Sequence, residues 1–226
     1  LTVPAILQVE ERQKTHVLFL LDASGSMAVI RKEALGNFNE QLQQIRKASE
    51  GQDVKVSVIS FNDPGQDKVA CWGKDISEVK ELEPADYFPT GVTALFDAVG
   101  NHVPAIRRNV DDDKGSAGIL VIITDGHENS SKELKKEHVQ KILGGLEKAD
   151  NWTVVYMGAN QDLWAASQDL GIRVASTYKY TATGAGLRGL AGRTERGWQH
   201  YFNTRSDGVK STNFWDEEID GNSKSS

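Results

Sequence analysis

The chain has 226 residues, 26 Lys and Arg against 32 Asp and Glu, a formal net charge of -6 and 38% hydrophobic residues. That length carries one well-buried core without demanding a second, and the acidic balance lacks the basic footprint that phosphate binding needs, which excludes nucleic acid as the main partner. The single Cys71 has no partner for an internal disulfide, so the reading is a cytoplasmic, reducing compartment rather than a stapled secreted scaffold.

Residues 1–14 read as an N-terminal extension and 15–205 as one domain. Every apolar run is far shorter than the roughly 20 residues that cross a bilayer, so no membrane span is expected. No signal-peptide pattern opens the chain, although Leu1 in place of Met leaves room for a removed leader. The first predicted strand, Val17–Leu21, runs into Asp22-Ala23-Ser24-Gly25-Ser26, one carboxylate and two hydroxyls at alternating positions. A helical face follows at spacings of three or four: Ile30, Ala34, Phe38, Leu42, Ile45. Val54–Phe61 reads as the second strand, and the turn signal Asp63-Pro64-Gly65 returns the chain as Lys68–Gly73, an antiparallel partner at a sheet edge.

The loop Thr90-Gly91-Val92-Thr93 opens a helical pattern over Ala94, Leu95, Ala98, Val99, Val103 and Ile106, where Pro104 removes a backbone donor and predicts a kink or restart. Asp111-Asp112-Asp113 lacks the spaced oxygens of a calcium loop and reads as a solvated connection. A buried strand, Ile119–Ile123, ends at Thr124 and Asp125. Then come a helix on Leu134, His138, Ile142 and Leu146, a strand at Thr153–Met157, and a last strand at Arg173–Ser176. A glycine-rich helix on Leu187, Leu190, Ala191, Thr194, Trp198, Tyr201 and Phe202 closes the domain, and the polar composition of 206–226 predicts a mobile tail around Phe214-Trp215. Strand alternating with helix predicts an α/β fold with a mostly parallel sheet.

Asp22, Ser24, Ser26, Thr93 and Asp125 are all hard oxygen donors, and Asp22 and Asp125 sit where open parallel sheets collect ligands, at strand carboxyl ends. Mg²⁺ takes about six oxygens and keeps several waters. Two carboxylates balance a divalent charge, while three neutral hydroxyls add none, so the cation stays able to attract an Asp or Glu of another molecule. Asp22-Ala23-Ser24-Gly25-Ser26 alone also fits a helix N-cap followed by turn residues. Thr93 and Asp125 downstream favour the cation site.

This set resembles the metal-ion-dependent adhesion site of von Willebrand factor type A (vWA) domains: Asp-x-Ser-x-Ser at Asp22, Ser24 and Ser26, a loop Thr at Thr93, a strand-end Asp at Asp125. The resemblance covers roughly Thr15 to Arg205, since the order of strands and helices matches too. It implies a Rossmann-like, mostly parallel sheet with one antiparallel edge strand and helices on both faces. It implies Mg²⁺, or Mn²⁺ or Ca²⁺, and a protein partner whose acidic side chain completes the metal shell, with Asp125 reaching the metal through water in many members. In several members the last helix slides when ligand binds. A loose closing helix with no switching role is the plainer expectation here. Val155–Asp162 and Tyr180–Gly186 are similar to stand-alone bacterial and phage-encoded members, which implies an intracellular protein.

The expected function is therefore a non-enzymatic, divalent-cation-dependent protein-binding module. The alternatives are a metal-dependent phosphoester hydrolase, for which the motif supplies no general base or second cation, and a structural subunit of an intracellular assembly. A Ser–His–Asp hydrolase lacks the Gly-x-Ser-x-Gly elbow. Gly184-Ala185-Gly186-Leu187-Arg188-Gly189 fits the dinucleotide fingerprint but lacks the strand before it and a suitable acid after it. Asn129-Ser130-Ser131 and Asn151-Trp152-Thr153 match a glycosylation pattern by chance, and His127 reads as an exposed loop residue. Self-association is a further expectation, a carboxylate of Asp216-Glu217-Glu218-Ile219-Asp220 reaching the cation of a second copy.

Overall fold

A computed structural model describes residues 13–125, 128–158, 167–181, 183–210 and 213–215. Six strands form one sheet in the order β3-β2-β1-β4-β5-β6, comprising β1 (Lys14–Asp22), β2 (Asp53–Phe61), β3 (Lys68–Asp75), β4 (Ala117–Thr124), β5 (Trp152–Gly158) and β6 (Thr177–Lys179). All neighbours are parallel except β2 and β3, which pair antiparallel through a bulge near Val58. The hairpin and the edge position of β3 follow the turn read from Asp63-Pro64-Gly65, closed by Gln66 N–H donating to the Asp63 carbonyl at 3.0 Å.

Two-residue alternation sorts the core onto two faces. Val17, Phe19 and Leu21 of β1 join Ile119, Val121 and Ile123 of β4 in one buried cluster, which Phe38, Leu42 and Ile45 of α1 (Arg31–Ala48) and Leu187, Leu190 and Trp198 of α4 (Gly184–Ser206) complete. Leu18, Leu20, Leu120 and Ile122 face the other way, onto Ala98, Val103 and Ile106 of α2 (Leu95–Asp111) and Val139 and Leu143 of α3 (Lys136–Glu147). Both faces of β1 and β4 are thus covered, which is why their sequences are continuously apolar. Burial of each such side chain contributes roughly 1.5–3 kcal/mol.

Three expectations need correction. The helix expected to kink or restart at Pro104 runs unbroken from Leu95 to Asp111. Its apolar stripe is buried on both sides of the proline, at Val99, Val103, Ile106 and Val110, and packing overrides the missing donor. The last strand is not Arg173–Ser176 but Thr177–Lys179, because Ser176 N–H donates to the Arg173 carbonyl at 2.9 Å and closes a 3-10 turn over Val174–Ser176. Part of the expected mobile tail is packed instead. Phe214 is buried edge-on against Trp198, 4.9 Å between ring centroids, and it lies so close over Gly197 that a Cβ there would overlap the ring. The acidic run Asp216–Asp220, on which self-association was expected to depend, lies outside the described residues, as does His127. No helix among the described residues is long and apolar enough to cross a membrane.

α4 is held to α1 by amide side chains. Asn37 Nδ2 donates to the Leu187 carbonyl at 3.3 Å, Gln44 Nε2 to the Ala191 carbonyl at 3.0 Å, and Thr194 Oγ1 to Gln44 Oε1 at 2.8 Å. The residues of the dinucleotide-like stretch begin a capped helix, with Gly186 N–H donating to Thr183 Oγ1 at 3.1 Å.

Candidate metal centre

β1 leads on to β2 on one side of it, while its other neighbour is β4, so the strand order reverses between β1 and β4. Side chains at the carboxyl ends of these two strands meet in the crevice opened there. Leu21 pairs with Ile123, which places Asp22 beside Thr124. Thr124 Oγ1 donates to Asp22 Oδ2 at 2.6 Å and Ser24 N–H to Asp22 Oδ1 at 2.7 Å. The Asp22 carboxylate is completely buried. From there the hydroxyls lead outward: Ser24 Oγ lies 3.1 Å from Ser26 Oγ, and Ser26 Oγ donates to Asp125 Oδ1 at 2.7 Å.

The helix-cap reading of this stretch does not describe Ser24. It precedes a 3-10 turn over Gly25–Ile30, but its side chain makes no capping hydrogen bond, and the α-helix begins only at Arg31.

Thr93 comes from the α2 side. Thr90 N–H donates to the Ala23 carbonyl at 2.8 Å and Gly25 N–H to the Gly91 carbonyl at 3.1 Å, so its loop lies against the turn that carries Ser24 and Ser26. Gly91 has φ 72°, the left-handed region, and a Cβ there would overlap the Asp63 carboxylate, which accepts Val92 N–H at 3.1 Å. Thr93 is buried, and its hydroxyl makes no hydrogen bond with the other four candidate ligands among the described residues. The structure therefore links Asp22, Ser24, Ser26 and Asp125 through one hydrogen-bonded series and brings Thr93 alongside through backbone contacts.

Burial pushes the Asp22 carboxyl up to about 6, and the neighbouring Asp125 adds to this against the lowering effect of Thr124 and Ser24. Burial also raises Asp125, partly offset by the Ser26 hydroxyl. No Lys, Arg or His side chain pairs with either carboxylate among the described residues. Two desolvated like charges flanked by hydroxyl oxygens form a donor set that suits a hard divalent cation. No group of three or more His, Cys, Asp or Glu assembles among the described residues, so only two carboxylates contribute charge.

Several supporting residues escaped the sequence reading. Tyr87 Oη donates to the Asp22 carbonyl at 2.5 Å and Tyr180 Oη to the Thr124 carbonyl at 3.1 Å, bracing both strand ends; burial raises both phenols. Thr93 N–H donates to Asn129 Oδ1 at 3.0 Å while Asn129 N–H donates to the Thr93 carbonyl at 3.1 Å. Glu128 accepts Phe96 N–H at 2.9 Å and Ser131 N–H at 2.7 Å, and Asp97 accepts the N–H groups of Lys132, Glu133 and Leu134. The loop after β4 is thereby bound to the start of α2. Asn129-Ser130-Ser131, read as a chance glycosylation pattern, is part of that junction.

The sequence matches no family model and no curated protein. Solved structures do resemble the fold. A von Willebrand factor type A protein from Catenulispora acidiphila superposes with a TM-score of 0.57 and 13% identity, over 83% of this chain and 43% of that one. Proximal thread matrix protein 1 of the mussel byssus, with a zinc-occupied MIDAS motif, gives 0.55 and 15%, over 80% and 44%. The manganese-loaded TRAP protein of Plasmodium vivax gives 0.51 and 13%, over 77% and 71%. The chain spans less than half the length of the first two. At these identities the likeness carries the fold, a six-stranded, mostly parallel sheet between helices.

Proposed function

We propose that this chain, which has the von Willebrand factor type A fold, is a divalent-cation-dependent protein-binding module whose working unit is residues 15–205. Asp22, Ser24, Ser26, Thr93 and Asp125 would hold Mg²⁺, or Mn²⁺ or Ca²⁺ in its place. When bound, the cation supplies a Lewis-acidic position open to an anionic oxygen of a partner. Asp22 and Asp125 balance its charge, and the three hydroxyls add no negative charge, so an Asp or Glu side chain of a protein partner is the ligand that fits.

One observation carries the reading: the series from Ser24 through Ser26 to Asp125 stands beside a buried Asp22 carboxylate that no cationic side chain balances among the described residues. The zinc- and manganese-loaded relatives support it by analogy of fold. The lone Cys71 supports placing the protein in the cytoplasm. A binding role is favoured over phosphoester hydrolysis because, among the described residues, the donor set brings two carboxylates and no neighbouring base to activate water.

Calorimetric titration with MnCl₂ and MgCl₂ tests the site. The wild-type chain should bind one equivalent and Asp22→Ala none, with both proteins folded by circular dichroism. Undiminished binding by Asp22→Ala would remove the site assignment.

A further inference from the structure

The loops that carry the candidate ligands also carry large apolar side chains left in solvent. Val29 is 88% exposed and Phe88 69%, with Val92 at 40%. Val29 follows Ser26 in the same 3-10 turn, and Val92 immediately precedes Thr93. Phe88 is pinned between two anchors to the end of β1: Tyr87, whose hydroxyl reaches the Asp22 carbonyl, and Thr90, whose N–H reaches the Ala23 carbonyl. All three therefore surround the same end of the sheet as the site. Their exposed area adds nothing to the apolar burial of the fold, unlike the core residues of the same loops, Met27 and Tyr87, which are completely buried.

A fixed cation accompanies them. The Arg31 guanidinium lies 5.2 Å from the centroid of the Phe88 ring. Its Nε donates to the Tyr87 carbonyl at 2.9 Å, and a second nitrogen donates to the Pro84 carbonyl. Carbonyls orient this group without neutralising it, and no carboxylate pairs with it among the described residues. Arg31 is stacked on the ring as a cation–π pair, so one surface offers apolar area and unbalanced positive charge side by side. An acidic, apolar partner complements both.

We infer that the partner presents its carboxylate on a segment with a large apolar side chain beside it, the carboxylate directed to the metal site and the apolar group to Phe88 and Val29, with Arg31 favouring acidic segments. This inference rests on the proposed function and names the chemistry of the partner. An acid flanked by small polar residues would meet the site but leave Phe88 and Val29 in water, so residues flanking the acid set the specificity.

Short fluorescent peptides with a central Asp flanked by Phe or by Ser, plus an Asn control, serve as probes of the Mn²⁺-loaded chain by anisotropy. The Phe-flanked Asp peptide should bind about tenfold more tightly than the Ser-flanked one, and the Asn control should not bind. Val29→Ser/Phe88→Ser should abolish the preference while calorimetry shows unchanged Mn²⁺ affinity, and Arg31→Met should weaken both Asp peptides. Equal, Mn²⁺-dependent binding of the two Asp peptides overturns this inference and leaves the proposed function standing. A Phe preference that survives Val29→Ser/Phe88→Ser also overturns it, as does absence of peptide binding to the loaded chain. Failure of the wild-type chain to take up Mn²⁺ overturns the proposed function, and this inference with it.

Discussion

β1 has a buried charge at each end, and the two are treated in opposite ways. At its start, Arg205 of α4 is 1% exposed and donates to Thr15 Oγ1 and to the carbonyls of Lys14, Gly115 and Val209, at 3.2–3.3 Å. At its end, Asp22 is equally buried but is met by uncharged donors, Ser24 and Thr124 Oγ1, with a second carboxylate, Asp125, nearby and no cationic side chain paired with it among the described residues. Among the described residues Arg205 has no carboxylate partner, yet its guanidinium is met by oxygens on several sides. It ties the end of α4 to the start of β1 and to the turn before β4. Asp22 is held in place but remains electrically unbalanced. A buried charge satisfied from within works as a staple, whereas one that is fixed in position and left short of opposite charge marks where a ligand belongs.

The largest effect should come from breaking the staple. Arg205→Met removes donors from four oxygens, three of them backbone carbonyls, and should destabilise the chain by about 3 kcal/mol in urea unfolding, with Mn²⁺ affinity unchanged. A matching loss of Mn²⁺ affinity would mean that the two ends of β1 are not independent.

Asp22→Ala should produce the reverse pattern. Mn²⁺ affinity should fall by about a hundredfold or more, equivalent to roughly 2.7 kcal/mol. Metal-free stability should move by less than about 1 kcal/mol, since loss of an unbalanced buried charge offsets the hydrogen bonds given up. Metal should raise the urea midpoint of the wild type and not of the variant. A steep drop in metal-free stability would put Asp22 in the same class as Arg205.

Thr124→Val sharpens the same end without touching a proposed ligand. It keeps the side-chain shape and deletes the hydroxyl that donates to Asp22 Oδ2. Partners that orient a metal-binding carboxylate are commonly worth about 10–100-fold in affinity, and because Ser24 N–H still holds the other oxygen, a loss of about tenfold is expected. An unchanged affinity would show that Ser24 alone fixes the carboxylate.

The sheet was legible because its signal is local. Continuous apolar runs at Val17–Leu21 and Ile119–Ile123 mark strands buried on both faces, and Asp63-Pro64-Gly65 marks the hairpin. The candidate ligands stood out because their residue types and spacing form a pattern. What stayed hidden depends on contacts between segments distant in sequence. Nothing near Arg205 announces that Thr15 and Gly115 will surround it, and nothing near Phe214 announces Gly197. Arg173–Ser176 misled for a related reason. Its apolar alternation was weak, and the pairing with β5 went to Thr177–Lys179, whose Tyr178 packs against Trp215. Glu128, Asn129 and Asp97 have ordinary loop and helix-start identities, so only the fold reveals that they bind the loop after β4 to the start of α2.

That junction gives the smallest and most discriminating test. Thr93 and Asp125 come from different crossovers, and the hydrogen bonds between Thr93 and Asn129 are the direct tie between the Thr93 loop and the chain that follows Asp125. Asn129→Ala deletes the bond from Thr93 N–H to Asn129 Oδ1 and leaves the return bond from Asn129 N–H, because that donor belongs to the backbone. Glu128 still holds Phe96 N–H, and Asp97 still holds the N–H groups of residues 132–134. The loop should therefore loosen without detaching, with a loss of about threefold in Mn²⁺ affinity, under about 1 kcal/mol. Asn129→Asp retains an acceptor oxygen and should restore the affinity, which a merely disturbed loop would not do. Combined with Thr93→Ala, the Asn129→Ala effect should vanish, since a residue that acts only by placing the Thr93 hydroxyl has nothing left to place. Additive losses in that cycle would show that Asn129 supports the site by a route independent of Thr93.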